Sequence, residues 1–445
     1  MNKRSLFKQK KNATGLERRF VVLGDLSMSY DLVIIGGGAA GLFAASVSNQ
    51  LDLVVLEKKD RVGLKLMVSG GGQCNLTHGG YMSHFMGQYG GHKRFVKPAL
   101  TQFDNRQTIA YFKAIGIECF EREDGKVFPK CLDAKTVVKA LSTSITKASK
   151  KKIHVETAVV EIIKKKDAFT VITDRGAFDT RHILIATGGK SYPALGSEGD
   201  GYRLAKSFGH EIVEPRPGLT GVVSGKISTL DWSGITLNDV ELTHVASGQT
   251  KLQLGRSEIR SGSGKTYKGD LLFTHFGVSG PVILNNSRVF HKGDHLLVNL
   301  VGVTSQALEK SFLEVAGDKL LAYWLNQLKL GDKFKAALLK ALQLSGQEKM
   351  ATLSKLQRKD MLKWLTQYEI IIDELQGFKQ AMVTVGGVST QEVNPKTMAS
   401  LLLDGVYFAG EVLDVDGDTG GYNLQWAFSS AYVAVKAIEK NVMQS

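Results

Sequence analysis

The stretch Tyr30-Asp31-Leu32-Val33-Ile34-Ile35-Gly36-Gly37-Gly38-Ala39-Ala40-Gly41 decides the fold. Its apolar, β-branched run reads as a buried strand, and the glycines after Ile35 fit the pattern G-x-G-x-x-G. A helix from Leu42 to Asn49, a second strand from Leu51 to Leu56 and an acid, Glu57, complete a dinucleotide-binding βαβ unit. Gly36 permits the tight turn, Gly38 lets backbone approach a pyrophosphate, and Gly41 lets the helix pack closely on the strand. The phosphates then rest on the exposed N–H groups and positive dipole of the helix start, beside Ala39 and Ala40. Glu57, twenty-one residues after Gly36, is placed to accept hydrogen bonds from an adenosine ribose. Lys58 and Lys65 join the same cofactor-binding set.

Around this unit the chain has 445 residues, enough for two or three domains, and its 48 glycines make it turn-rich. No apolar run approaches the roughly 20 residues of a membrane helix, so no membrane association is expected. Cys74, Cys119 and Cys131 form neither a C-x-x-C pair nor an even set, which fits a reducing cytoplasm better than a disulfide framework. The net charge of +14 is uneven: residues 1–27 carry seven Lys or Arg against two acids. That segment lacks the apolar core of a signal peptide, and reads either as a disordered basic arm or as sequence absent from a chain that starts at Met28.

Beyond Glu57, Ser69-Gly70-Gly71-Gly72-Gln73-Cys74-Asn75 suits backbone lying close against a ligand, and is expected to be neither helix nor packed strand. Cys74 reads as a buried small hydrophobe or as a thiol donating a proton at a cofactor loop. Amphipathic helices are expected over Thr101–Ile115 and Ala134–Thr146. Short strands at Ile153–Glu156, Ala158–Ile163, Phe169–Thr173 and Ala177–Asp179 predict a small antiparallel layer on the main sheet. His182 to Ile185 forms a buried strand that stops at Ala186-Thr187-Gly188-Gly189.

Residues 191 to about 303 read as mostly β, and the pattern turns helical from Thr304 to Tyr368. Ser263-Gly264-Lys265-Thr266 lacks the earlier glycine of a P-loop and reads as a hairpin turn. His275, in Leu271-Leu272-Phe273-Thr274-His275-Phe276-Gly277, is either a structural histidine or a pocket residue. The helical stretch holds eleven Lys or Arg against six acids, a solvated face or a phosphate-binding one. The histidines offer no metal constellation.

The end of the chain returns to the first domain. Ala381–Val388 and Gly405–Glu411 read as strands ending in glycine turns, and Gly420-Gly421-Tyr422-Asn423 opens a last helix, Trp426 to Lys440. Glu411, after Gly410, can bind a ribitol, and the helix dipole can stabilise negative charge at a flavin edge. This second half of a site argues for FAD over NAD.

The motif set resembles the YhiN/BaiN-like family of FAD-dependent oxidoreductases. The matching segments are Asp31–Gly41, Ser69–Thr77, Ala186–Gly201, Leu271–Pro281, Val385–Met398 and Gly410–Ser429; the family usually has Arg where this chain has Gln73. The resemblance implies an α/β fold: a discontinuous FAD-binding Rossmann-like domain with an inserted β-barrel-like domain and an inserted small helical domain. The expected divisions are 28–192 with 383–445 for FAD, 193–303 with 369–382 for the β-rich part, and 304–368 for the helices. It adds Ser69, Gly70, Gly71, Gln73, Cys74, Asn75, Thr187 and Gly188 to the expected FAD contacts. Members act on aminoacetone, on a C=C bond of bile-acid intermediates, or on uridine of large-subunit ribosomal RNA.

Cys74 lacks the partner of a disulfide reductase, and a second G-x-G-x-x-G for resident NAD(P)H is missing. The leading expectation is therefore reduction of an activated C=C bond, specifically uridine to dihydrouridine in 23S ribosomal RNA, with NAD(P)H docking transiently. Cys74 is the first candidate proton donor and His275 the second. The alternatives are an oxidase or dehydrogenase of a small amine or alcohol such as aminoacetone, and a flavin-containing protein that binds RNA or a partner.

Overall fold

The computed structural model describes residues 28–247, 264–315, 317–328 and 330–444. Strand β1 (Met28–Ile35), helix α1 (Ala39–Val47) and strand β2 (Leu53–Leu56) form the βαβ unit, with β1 and β2 parallel and Ile35 opposite Leu56. Leu32, Val33, Ile34, Leu53, Val54 and Val55 are wholly buried, as in a parallel sheet covered on both faces. Each such side chain contributes about 1.5–3 kcal/mol by leaving water. The helix starts three residues before the expected Leu42, because Gly38 already holds extended N-cap backbone and the alanines after it favour helix.

The sheet runs Lys151–His154, β2, β1, Gly176–Ile185, Phe169–Thr173, Val159–Lys164. Of the small antiparallel layer expected on the main sheet, three strands continue this sheet, since Ala177–Asp179 and His182–Ile185 belong to one strand, whereas the fourth, expected at Ile153–Glu156, is Lys151–His154, parallel to β2 at the opposite edge. One edge of that strand pairs with β1 from Phe178 to Ile185. Its other edge forks: residues 176–180 take Phe169–Thr173 antiparallel, and 183–185 take Val406–Phe408 in parallel. The fork brings the C-terminal part of the chain beside the glycine turn.

Ala134–Thr146 is helical as expected, whereas the single helix expected from Thr101 to Ile115 is two, Lys93–Gln102 and Asn105–Ala114. Asp104 causes the break. Its carboxylate accepts from Gln107 N at 2.8 Å while Gln107 Oε1 accepts from Asp104 N at 2.9 Å, a reciprocal cap that starts a new helix.

A second core lies on a seven-stranded antiparallel sheet, ordered Tyr368–Ile371, His295–Asn299, Thr236–Val245, Lys265–Phe273, Gly277–Ser279, Val222–Val223, Glu374–Leu375. Its two edge strands are joined by only Ile372 and Asp373, so the sheet curls until its edges approach, in barrel-like fashion. Helices Ser305–Val315, Leu321–Leu325, Asp332–Ala341 and Lys355–Thr366 bury Phe312, Trp324, Phe334 and Leu365 in the same core as Trp232 and Phe273 of the β part. Of the expected hairpin turn at Ser263–Thr266, Ser263 lies outside the described residues and Lys265 and Thr266 are in a strand. The basic segment 1–27 also lies outside them.

The chain passes between the two cores along Ile212–Gly218 and returns along Val383–Val388, and these strands pair antiparallel. Gly386 and Gly387 were expected in a turn but lie inside the returning strand, opposite an irregularity between Val213 and Arg216. A Cβ on Gly386 would stand 2.6 Å from Glu214 O, so the bulge requires glycine. No helix among the described residues is long and apolar enough to cross a membrane.

Candidate cofactor and substrate site

A cavity of about 660 Å³ opens on the first core, beside the strands that cross to the second. Its wall gathers Gly36, Gly38, Ala39, Ala40 and Glu57 with Lys65, Ser69, Gly70, Gly71 and Asn75. Thr187, Gly188, Gly410, Glu411, Gly420, Gly421 and Asn423 complete the group, and Leu219, Met382 and Val383 reach it from the crossing strands. Residues read as one site from five separate stretches of sequence thus share one wall. Gly41, Lys58, Gln73, Cys74, Tyr422 and His275 stand outside it.

The glycine turn shows a different constraint at each position. Gly36 (φ +107) is pressed against the Gly176–Ile185 strand, where a Cβ would lie 2.6 Å from Ala186 O, and a Cβ on Gly41 would run into the Gly36 carbonyl. Gly38 has nothing within 4 Å of its Cβ position, so its backbone faces open cavity. Glu57 Oε2 accepts from Gly37 N at 2.9 Å and Oε1 from Lys59 N at 2.8 Å, which fixes the carboxylate at the end of β2. Lys58 turns away to Glu198 and Asp200, its bond to Asp200 being 2.5 Å.

The opposite end is tied across the sequence. Ser69–Gly72 is a hydrogen-bonded turn with Gly70 (φ 57) and Gly71 (φ 66) left-handed, so no regular helix forms, in line with the expectation. The Asn75 amide accepts from Gly421 N at 3.0 Å and donates to Thr77 O at 2.9 Å and Val127 O at 3.1 Å. That contact joins the loop to the start of the last helix, Tyr422–Gln444. Lys65 Nζ donates to Glu411 Oε2 and to Ser191 Oγ, each at 2.6 Å. Glu411 Oε1 accepts from Ser191 Oγ and Thr384 N, both at 2.8 Å. Asn423 brackets Gly417, accepting from its N–H and donating to its carbonyl at 2.8 Å each. The Tyr422 ring stacks on His78 at 5.1 Å, and its carbonyl accepts from Tyr89 Oη.

Neither candidate proton donor faces this cavity. Cys74 is wholly buried on left-handed backbone (φ 63), and burial pushes its thiol up to about 12 against the opposing bond with Ser69. It is the small core residue of the two readings. His275 is exposed on the turn after Lys265–Phe273, edge-on to Phe276. A half-buried acid of the wall is instead Asp418, whose carboxyl is pushed up by burial and by Asp416 against the pull of the bonded Arg288.

Thiol titration should show the difference in burial. Cys131 is exposed, Cys119 is half-buried and pushed up to about 11, and Cys74 is enclosed. At pH 8 only about one Cys74 in ten thousand would carry the reactive thiolate. A thiol-specific reagent should therefore modify Cys131 at once, Cys119 slowly and Cys74 only on unfolding. Rapid loss of all three thiols in the native protein would refute the burial of Cys74.

The description "HI0933-like protein Rossmann domain" matches residues 30–437. The chain belongs to this family. It is 30% identical to a ribosomal RNA dihydrouridine synthase of Haemophilus influenzae over 93% of this chain and all of that one. It is 29% identical to a protein of the same name from Escherichia coli (92% and 97% covered). A 3-dehydro-bile acid delta(4,6)-reductase of Clostridium scindens is also 29% identical (91% and 98% covered). This HI0933-like chain is thus one of the flavin-dependent oxidoreductases that its motifs resemble.

Several wall residues of the HI0933-like chain carry no sequence signal of their own. Arg122, Lys126 and Phe128 come from the hairpin of Cys119–Glu121 and Lys126–Pro129, and Asp418 lies in an acidic loop, while behind the wall Ser191 and Thr384 meet at Glu411 from distant segments. Gln73 accepts from Arg122 Nη2 at 2.6 Å, so the position where the family has Arg here holds an arginine from elsewhere in the chain.

Proposed function

We propose that this HI0933-like protein is an FAD-dependent reductase of a C=C bond conjugated with a carbonyl, with reduced nicotinamide as transient donor. The specific reading is uridine to dihydrouridine in 23S ribosomal RNA. The observation that carries it is the single cavity bounded by the glycine turn at one end and the Gly420–Gly421 helix start at the other. Open space at Gly38 and the α1 start suit a pyrophosphate, Glu57 suits a ribose, and the start of Tyr422–Gln444 suits a ring edge that gains negative charge. Lys65 and Glu411 bracket the stretch between them. When bound, FAD supplies a carrier that takes up two electrons and passes them on as hydride.

The protein's own part is to bind, orient and supply a proton. Asp418, protonated more readily than an ordinary aspartate, takes the place of Cys74 and His275 as the acid at the wall. The relatives named as dihydrouridine synthases and as a bile-acid delta(4,6)-reductase support C=C reduction, since both reactions saturate a carbon–carbon double bond. Residues 28–445 keep a net charge of +9 after the basic arm is set aside, which favours a polyanionic substrate.

Replacing Glu57 by alanine should weaken FAD binding about ten- to a hundredfold, from loss of roughly 1.5–3 kcal/mol of charged hydrogen bonding. Titration of the apoprotein by flavin fluorescence measures it, and unchanged affinity would remove Glu57 from the ribose. Anaerobic reduction by NADH or NADPH, then reoxidation by unmodified ribosomal RNA, tests the reaction. Dihydrouridine should appear in the RNA by mass, RNA affinity should fall steeply with salt, and D418N should slow reoxidation alone. Reoxidation by oxygen but never by RNA would refute the RNA reading.

A further inference from the structure

Arg122 stands in the turn between strands Cys119–Glu121 and Lys126–Pro129, with its side chain in the cavity wall. Its Cζ lies 3.8 Å from the Phe128 ring centroid, and Nη2 donates to Gln73 Oε1. Stacking fixes the plane of the guanidinium and the Gln73 bond fixes its rotation, leaving other in-plane donors free to meet a ligand.

Among the described residues Arg122 has no carboxylate paired with it. Three other basic side chains of the wall have acids: Lys65 pairs with Glu411 at 2.6 Å, Lys126 with Asp124 at 2.6 Å, and Arg61 with Asp60 at 2.9 Å. Among the described residues no carboxylate comes within 4.0 Å of Arg122; Asp124, which feels its charge, is taken by Lys126. A cation held rigid in a cavity wall without a paired carboxylate is arranged for an oxygen of the ligand.

Its place along the cavity selects which oxygen. The Phe128 ring under Arg122 also touches the Ser69–Asn75 loop, where a Cβ on Gly70 would lie 3.2 Å from Phe128 Cε1. Asn75 in turn binds Gly421 N. Arg122 therefore belongs to the end where the last helix begins, not to the end held by Glu57.

We propose that Arg122 binds the carbonyl oxygen conjugated with the C=C bond being reduced. The choice of oxygen rests on the C=C reading above. Hydride derived from reduced nicotinamide forms a C–H bond at the β-carbon, the π pair of the C=C bond shifts toward the carbonyl, and its oxygen becomes an enolate. A proton then adds at the α-carbon and restores the carbonyl. Arg122 keeps its own proton throughout and holds the oxygen while charge grows there.

A phenolate is a stable, flat stand-in for that enolate. Calorimetric titration of the FAD-loaded protein with 4-nitrophenolate, above the phenol's own pKa, should show binding that weakens about tenfold or more in R122M. R122K should recover part of it, because a lysine supplies charge without the planar fork. Both variants should hold FAD and be reduced by NAD(P)H at the wild-type rate, while reoxidation by the C=C substrate falls about a hundredfold in R122M. Equal phenolate affinity in wild type and both variants, or no binding by the wild type, overturns the proposal. Arg122-dependent phenolate binding in a protein that no conjugated C=C compound reoxidises keeps the oxygen subsite and discards the C=C reading.

Discussion

Gly41→Ala is expected to lose both stability and cofactor, whereas Gly38→Ala, three residues away, should fold normally and lose the cofactor alone. The added methyl at Gly41 would run into the Gly36 carbonyl, which has nowhere to go: Gly36 is itself wedged with its own Cβ position 2.6 Å from Ala186 O. Both obstacles are backbone, held by β1 on one side and the Gly176–Ile185 strand on the other. Relief requires moving α1 off the sheet, at a cost of about 3 kcal/mol or more, a large share of the stability of an ordinary domain. Gly38 has φ −80, ordinary for any residue, and an open Cβ position, so its methyl costs the fold little. That methyl would instead occupy the space where a pyrophosphate must approach backbone. FAD affinity should fall about a hundredfold. Urea unfolding of the apoproteins and the ratio of flavin to protein absorbance separate the two effects. Full flavin occupancy in G38A would place the phosphates elsewhere, and a wild-type unfolding midpoint for G41A would deny the close packing of α1.

The same two glycines show what a sequence carries by itself. Strand, turn, helix and acid from Tyr30 to Glu57 are neighbours in the chain, so periodicity and spacing reveal them without knowledge of the rest. Gly410, Glu411 and Gly420–Asn423 were legible for the same local reason. What joins them was not: Lys65 meets Glu411 across 346 positions, and nothing in either segment names the other. The sense of a side chain is equally hidden. Cys74 sits in a loop of cavity-lining residues, yet its left-handed backbone turns the thiol inward, and no pattern of neighbours distinguishes that from an outward thiol. Asp104 was legible in principle, because Asp-x-x-Gln is a capping signature, but the apolar periodicity on both sides read as one continuous helix. Arg122 needed the fold, since its meaning lies in the missing carboxylate.

Trp232→Ala should remove about 3–5 kcal/mol of stability and melt the helical segment together with the curled sheet. Trp232 is 1% exposed and has four aromatic neighbours: Phe273 at 4.9 Å, Phe334 and Tyr368 at 5.3 Å, and Trp364 at 5.8 Å. Phe273 and Tyr368 belong to strands, while Phe334 and Trp364 belong to helices Asp332–Ala341 and Lys355–Thr366. The indole is therefore the place where strands and helices share one interior, although the sequence changes character at Thr304 as if a separate unit began. Truncation leaves a void bounded by large rings that cannot collapse without moving backbone on both sides, which puts the cost at the upper end for a core aromatic. In urea the far-ultraviolet helix signal and the fluorescence of Trp324 and Trp364, two of the three remaining tryptophans, should shift to lower denaturant together, while Trp426 reports on the other core. The core around β1 contains none of these residues, so flavin bound there should be released later than the first transition, unless loss of Leu219, Met382 and Val383 from the cavity wall frees it at once. A helix signal that melts at the wild-type midpoint in W232A would show that the helices stand on their own interior, and the shared core would have to be abandoned.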